Sequence, residues 1–538
     1  MNNDGTSSIS APDLGVVEAQ GELREYLHRR EDRHKVFPKA ALVGVLAGLI
    51  AVVFQYTLGF ANHARNQIVH WAHGLPGPGW LAPVIFSAIG SMLAIILIRK
   101  WAPEAAGSGI PHVEAVLRRH RIFRWKPVLI TKFIGGVLAI GSGLALGREG
   151  PTVQMGGAVG AGIARLLKVG TQERLTLVAA GAGAGLAAAF NAPLAGLIFV
   201  VEELQRDFQP TVFGAAFIAA ASADVVSRYF GGQMSVFAAP AYPAPGLALL
   251  PFFAVLGVVT GLLGVAFNVG LVASLNSFGK IPARHKLVTA LAVGAIVGLI
   301  AYFAPSLVGS GHSLAEVALR AGLTLAALPL IFVVRFFLTI GSYGSGAPGG
   351  IFSPLLALGA IIGLAVGYLA AMMFPHGGIV PGEFAVVGMA AYFAAIVRAP
   401  LTGIVLIVEM TSSYALSLPL LLACFCAYGA AEATRNLPIY EELLERDLVS
   451  RDDSTTNGPE TIVVELEVEP NSHFDGRKVR ELGLPSGVLI VSCREGDNEF
   501  VPDANTLLTA YMRITAVVSR LAVSGLEVLR NGCRETPQ

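Results

Sequence analysis

The stretch AAFNAPLAGLIFVVEE, residues 188–203, returns later in the chain as AIVRAPLTGIVLIVEM, residues 395–410. Pro193 matches Pro400, Gly196 matches Gly403 and Glu202 matches Glu409. Upstream of each copy stands a G-x-x-x-P motif, GREGP at Gly147 to Pro151 and GIFSP at Gly350 to Pro354, and each opens an apolar run rich in Gly and Ala. Composition alone makes such runs look alike, but it does not align proline, glycine and glutamate at matching places. The chain is therefore read as two halves built on one plan. Gly/Pro-interrupted segments at corresponding positions of two halves point to a binding site between them.

Of the 538 residues, 54% are hydrophobic and 14% charged, and the mean hydropathy is +0.63. These values exclude a water-soluble globular protein and place the chain in a lipid bilayer. A formal net charge of +1 removes the usual argument for a nucleic-acid partner. Cys424, Cys426, Cys493 and Cys533 have neither metal-ligand nor redox spacing, and neither metal nor cofactor is expected. The N-terminal stretch lacks the apolar core and cleavage site of a secretory signal. Its basic residues (Arg24, Arg29, Arg30, Arg33, Lys35) and a second basic cluster (Arg118, Arg119, Arg121, Arg124, Lys126) place the N-terminus in the cytosol by the positive-inside rule.

Uncharged runs over Ala40–Asn62, Trp80–Ile98, Leu175–Val201, Leu287–Ser310 and Met410–Ala431 are each long enough to cross a hydrocarbon layer of roughly 30 Å as a helix. Phe133–Leu146, Gly150–Ala164 and Ala385–Val397 are too short for that. Phe336–Gly382 carries no charge but is broken by Gly341, Gly344, Gly346, Pro348, Gly349, Gly350 and Pro354. Irregular backbone at membrane depth survives only where protein or a water-filled cavity covers it, so half-crossing helices meeting near the midplane are expected. After Asp447 the text turns polar, then alternates like strands (TIVVELEVEP, GVLIVSC). The expected plan is a cytosolic tail (1–36), an all-α polytopic membrane domain (37–447, repeats about 37–230 and 246–447), a linker (448–460) and a small α+β cytosolic domain (461–530).

A dehydrated anion costs several kcal/mol to bury, so its site must present many donors at once. Helix N-termini supply them through free N–H groups and a positive dipole end, and Gly allows close approach of the backbone. GSGIP (Gly107 to Pro111), GREGP and GGIFSP (Gly349 to Pro354) each join flexible Gly to a Pro near a helix start, where Pro is tolerated. Three such motifs in one apolar chain, two of them related by the repeat, indicate anion coordination by backbone amides.

These motifs, in this order, with EEL at Glu202 to Leu204 and PIY at Pro438 to Tyr440, resemble those of the CLC family of chloride channels and chloride/proton exchangers; the likeness covers roughly Pro38 to Asp447. The resemblance implies an inverted-repeat fold and a homodimer with one pathway per subunit. It also implies chloride-binding hydroxyls at Ser108 and Tyr440, and anion-binding backbone around Gly109, Ile110, Arg148, Glu149, Gly150, Ile351 and Phe352.

Glu149 is the first candidate by its own chemistry. It is an ionisable group in an apolar bundle, at the start of a helix whose amides should bind anions. Ionised, its carboxylate imitates the anion and blocks the path; protonated, it swings away, so proton uptake and anion passage compete for one place. The plainer readings are a salt bridge with Arg148 or an N-terminal cap. Glu202 has a twin in Glu409, which suggests a shared structural duty such as hydrogen-bonding a loop. Glu203 faces Met410 and is present in one half only, which suits a directional task; the resemblance makes it the internal proton relay of exchangers. For Arg335 and Arg398 only pairing with loops or helix ends is expected.

The tail from Thr461 resembles the C-terminal lobe of RCK domains, ligand-binding modules of potassium-transport regulators, although the later turn, normally Gly-Asp in that pattern, is Tyr511-Met512 here. The resemblance implies an unidentified small ligand or a dimerising role. Chloride, protons, the bilayer and a second copy are thus the expected partners. Alternatives are a passive voltage- or pH-gated chloride channel, a membrane sensor led by the tail, and an intramembrane hydrolase using Ser108. The last lacks an HExxH pair and a His in a clearly buried apolar segment.

Overall fold

The structure, a computed structural model, describes residues 12–452 apart from 234 and 283, and residues 461–533 apart from 471, 496, 497 and 520–522. The expected tail before residue 12 and the expected linker over 453–460 lie outside the described residues. The chain divides between Leu448 and Val449 into two compact units.

In the larger unit the first half contains α1 (Pro12–His73), α2 (Leu81–Trp101), α3 (Ile110–Leu117), α4 (Trp125–Gly141), α5 (Glu149–Leu166), α6 (Thr171–Phe190), α7 (Pro193–Phe199) and α8 (Pro210–Gly231). The second contains α9 (Leu250–Gly279), α10 (Lys286–Phe303), α11 (His312–Leu319), α12 (Leu328–Gly344), α13 (Phe352–Met373), α14 (Pro381–Val397), α15 (Pro400–Thr411) and α16 (Ser417–Glu432), and α17 (Ile439–Asp452) follows. The halves correspond helix for helix. Each has an eight-residue helix (α3, α11) capped by a left-handed glycine, Gly109 at φ +85° and Gly311 at φ +86°. In each half the first helix packs on the last (α1 on α8, α9 on α16) and the fifth on the sixth (α5 on α6, α13 on α14).

Eight of these helices, among the described residues, are long and apolar enough to cross a membrane. At about 1.5 Å per residue, α3 and α11 reach only part of the way. α5 and α13 begin inside the protein: Glu149, Gly150 and Pro151 are buried, as are Phe352, Ser353 and Pro354. Two expected crossings are in fact broken. Leu175–Val201 divides at Asn191, whose left-handed backbone (φ +50°) ends α6 before Pro193 opens α7. Met410–Ala431 divides at Ser412 (φ +56°), between α15 and α16. α8, absent from the uncharged runs, tolerates two charges because Arg228 Nε reaches Asp224 Oδ2 at 2.7 Å one turn away.

Two boundaries also differ from expectation. α1 reaches back to Pro12 as one helix into the expected tail, and α17 runs to Asp452, into the expected linker.

The smaller unit is an antiparallel sheet of β1 (Thr461–Glu467), β2 (Val488–Glu495), β3 (Asn498–Phe500) and β4 (Arg513–Ser519), in the order β1-β4-β2-β3, followed by α18 (Val523–Cys533). One face builds a core from Val468, Phe474, Ile490, Cys493, Ile514, Ala516, Val518 and Leu529. Tyr511 takes φ +67° just before β4, so the turn forms although neither Gly nor Asp stands there.

Candidate functional site

The Ser108 turn is shaped by its flanking glycines, Gly107 at φ +60° and Gly109 at φ +85°, values that side chains rarely adopt. Space imposes the same choice, since a Cβ on Gly109 would lie 2.3 Å from Gln154 Oε1 and one on Gly107 2.9 Å from the Tyr343 hydroxyl oxygen. Ser108 is fully buried, and its Oγ accepts the Ile110 N–H at 3.3 Å.

Backbone bonds knit this turn to the starts of α5 and α13. Gly349 N–H donates to Gly107 O at 2.9 Å, and Gly147 and Gly350 exchange N–H···O bonds of 2.7 and 2.8 Å. Gly150 packs directly on Ser108, where a Cβ would meet Ser108 atoms at 2.8 to 3.0 Å. No side chain caps α5 or α13, and α3 has only the 3.3 Å bond from Ile110 N–H to Ser108 Oγ, so the three helix starts gather at one buried place. Phe352, the first residue of α13, lays its ring 6.4 Å from that of Tyr440 with 22° between the planes. The Tyr440 hydroxyl is buried and has no hydrogen-bond partner. Ser108, Gly109, Ile110, Arg148, Glu149, Gly150, Ile351 and Phe352 thus come together from three helix starts, with Tyr440 beside them at the head of α17.

The Glu149 side chain is 1% exposed, and its carboxylate folds back over its own helix start. Oε1 accepts the Ser353 hydroxyl from the first turn of α13. Oε2 has no partner and rests against Gly147, whose missing Cβ leaves it room. Arg148 does not pair with it; its Nη2 donates to Ala189 O at 2.9 Å.

A cavity of about 1180 Å³ leads to this acid, lined among others by Arg65, His70, Arg148, Ser310, His312 and Ser353. A second of about 720 Å³ is lined by Glu203, Arg206, Arg398, Asn436, Pro438 and Glu441. They lie at opposite ends of α8, a helix about 33 Å long. Asp207 and Phe208, just before it, line the second, while Ser227 and Gly231 at its far end line the first.

Glu203 is buried (2% exposed) in a π-helical turn, Val200–Gln205, that prolongs α7. Such turns aim side chains that a regular helix would direct elsewhere. Arg206 stands 3.7 Å from Glu203 and 3.2 Å from Glu441. Glu202 and Glu409 do share one duty: each caps the helix opened by the other's repeat. Glu202 accepts from Leu401 N and Thr402 N at 3.0 and 2.7 Å, and from Thr402 Oγ1 at 2.7 Å; Glu409 accepts from Leu194 N and Ala195 N at 3.1 and 2.8 Å.

Lys132, His112 and Glu114 escape a reading of sequence alone, whereas Arg335 pairs with a loop as expected. Lys132, fully buried on α4, donates to Ala105 O and Gly107 O at 3.0 and 2.6 Å and so braces the Ser108 turn. Arg335 on α12 does the same for the twin turn Gly309-Ser310-Gly311, through Leu307 O and Gly309 O at 3.0 and 2.9 Å. The repeated GSG was a usable signal for this pair. His112 is buried, contrary to expectation, with Nδ1 3.1 Å from Gln154 Nε2. Glu114 is buried with both carboxylate oxygens unbonded, 3.9 Å from Arg118. Arg398 donates to Asn436 O at 3.3 Å, a loop pairing of the expected kind.

Residues 90–432 match the family model described as voltage gated chloride channel, and residues 463–527 match that of the TrkA-C domain. A protein of Vibrio cholerae (strain M66-2) named H(+)/Cl(-) exchange transporter ClcA is 43% identical over 432 residues, 79% of this chain and 92% of that protein. The crystal structure of a slow cyanobacterial Cl-/H+ antiporter superposes with a TM-score of 0.75 at 34% identity, covering 78% of this chain and 99% of that one. A eukaryotic CLC transporter, at 24% identity and a TM-score of 0.64 over 77% of this chain and 74% of that one, shares the fold.

Proposed function

The chain belongs to the voltage gated chloride channel family and is a multi-pass membrane protein; from that premise we propose that it exchanges chloride for protons across the bilayer. The observation that carries this reading is the Glu149 carboxylate, lodged between the starts of α5 and α13 on a single hydroxyl donor, with its other oxygen unpartnered. A carboxylate held by helix N-termini stands where an anion would stand. Protonated, it loses its attraction to those positive ends and withdraws toward the larger cavity, and chloride replaces it. The first-turn amides of Glu149 and Gly150 and of Ile351 and Phe352, the Ser108–Ile110 turn, and the hydroxyls of Ser108 and Tyr440 then hold the ion. Arg148 contributes its backbone, since its side chain is committed to Ala189 O.

Glu203 relays protons between Glu149 and the second cavity, whose Arg206 and Glu441 hold a mixed-charge mouth. With both termini in the cytosol, that mouth faces the cytosol and Glu149 faces outward. The protein acts as a homodimer with a complete pathway in each subunit. The C-terminal unit serves either as a regulatory module for a small ligand or as a dimerising appendage.

The test is made in proteoliposomes. A chloride gradient should drive protons uphill, and Glu149→Ala and Glu203→Val should each abolish proton movement while chloride still flows. A wild-type protein that moves chloride without pumping protons would be a passive channel, and either variant retaining normal antiport would remove the role given to that residue.

A further inference from the structure

Beside Ser108 lies a hydroxyl to which the exchange cycle assigns no part. Tyr343, the penultimate residue of α12, is 4% exposed, and its phenol oxygen accepts the Ser108 N–H at 3.4 Å. Gly107 leaves the room that this oxygen occupies. The phenol keeps a proton to donate, and among the described residues no carbonyl or carboxylate takes it. Within the turn, Gly107 O is already engaged by Lys132 Nζ and Gly349 N–H. A phenol that already accepts a bond is polarised into a stronger donor.

Two further observations point the same way. Tyr440, whose hydroxyl is unpartnered, stands at the same gathering of helix starts, its ring 6.4 Å from that of Phe352. The correspondence of the halves matches α12 with α4 residue for residue, Arg335 with Lys132 and hence Tyr343 with Ile140. Only the half that faces Ser108 carries the hydroxyl. A residue that merely filled space would have no need of that asymmetry.

We propose that Tyr343 is a third hydroxyl ligand of the central anion, joining Ser108 and Tyr440, and that it sets the site's preference for small, charge-dense halides. The proposal rests on the chloride-exchange reading above. A neutral O–H is a compact donor that rewards a short contact, so its loss should cost chloride more than bromide.

Two variants of the full chain separate ligand from prop. Tyr343→Phe removes only the oxygen. Chloride binding to the purified protein, measured by titration calorimetry, should weaken about tenfold, and the chloride-to-bromide affinity ratio should fall. A trifluorotyrosine incorporated at position 343 keeps the shape, strengthens the O–H donor and weakens the oxygen as an acceptor. An anion ligand then binds chloride more tightly than wild type, whereas a prop for Ser108 N–H leaves affinity unchanged or lowers it. Unchanged affinity and halide ratio in Tyr343→Phe, or no gain with the fluorinated residue, would overturn the proposal while wild-type antiport stood. Absence of antiport in the wild type would instead overturn the exchange reading.

Discussion

The single hydroxyl that holds Glu149 is a tuning point for transport. Removing the Ser353 donor takes away a bond to a charged group, of the order of 1.5 to 3 kcal/mol, and leaves the helix-end attraction in place. Ser353→Ala is therefore expected to release the acid more readily and raise chloride turnover by up to about tenfold, with proton coupling kept; a flux assay giving wild-type turnover would show that the bond does not restrain the gate. At this scale the sequence is informative where a residue type is rare in its surroundings. Ser108, Glu149 and Tyr440 stand out as polar groups in Gly/Pro-broken apolar text. Lys132, Gln154 and Tyr343 do not, because they sit inside regular helices and their partners, Gly107 O, Glu104 O and Ser108 N, belong to another element.

Individual helices are held to one another across the repeat by the paired glutamates. Glu202 satisfies three donors at the start of α15 and Glu409 two at the start of α7. Glu202→Ala should thus destabilise the fold by about 2 kcal/mol and Glu409→Ala by less. Thermal unfolding in detergent reports the order, and equal shifts would contradict it. In the C-terminal sheet the left-handed Tyr511 is 71% exposed, so its side chain contributes little there. Tyr511→Gly should relieve strain and stabilise the sheet by about 1 kcal/mol, seen as slower amide exchange along β4 in the intact protein. Matched Pro, Gly and Glu positions make the repeat legible in the sequence itself. Helix boundaries are less so, since hydropathy does not register the turn at Asn191-Ala192-Pro193, where one apolar run becomes two helices.

For the molecule as a whole, every residue given a place in the pathway lies before Leu448, in one of the two compact units. A chain ending at Leu448 is expected to retain antiport in liposomes, with at most a change in rate; complete loss would mean that the second unit is needed for the membrane unit to assemble or work. The break in composition after Asp447 announces the second unit. The packing of α2 on α10, and of α7 on α15, is visible only in three dimensions, because hydropathy carries no record of which apolar helices touch.

The bond between Ser353 and Glu149 closes a span of 204 residues. At synthesis rates of roughly 5 to 20 residues per second, the ribosome takes about 10 to 40 seconds after making the acid to make the hydroxyl that holds it. During that interval the N-terminal repeat owns a carboxyl group with no site, and the reciprocal Gly147 and Gly350 ladder has only one of its two rungs' owners. Selectivity is thus born late, when the second repeat docks, and a nascent chain stalled before residue 350 should present Glu149 to its surroundings rather than to an ion.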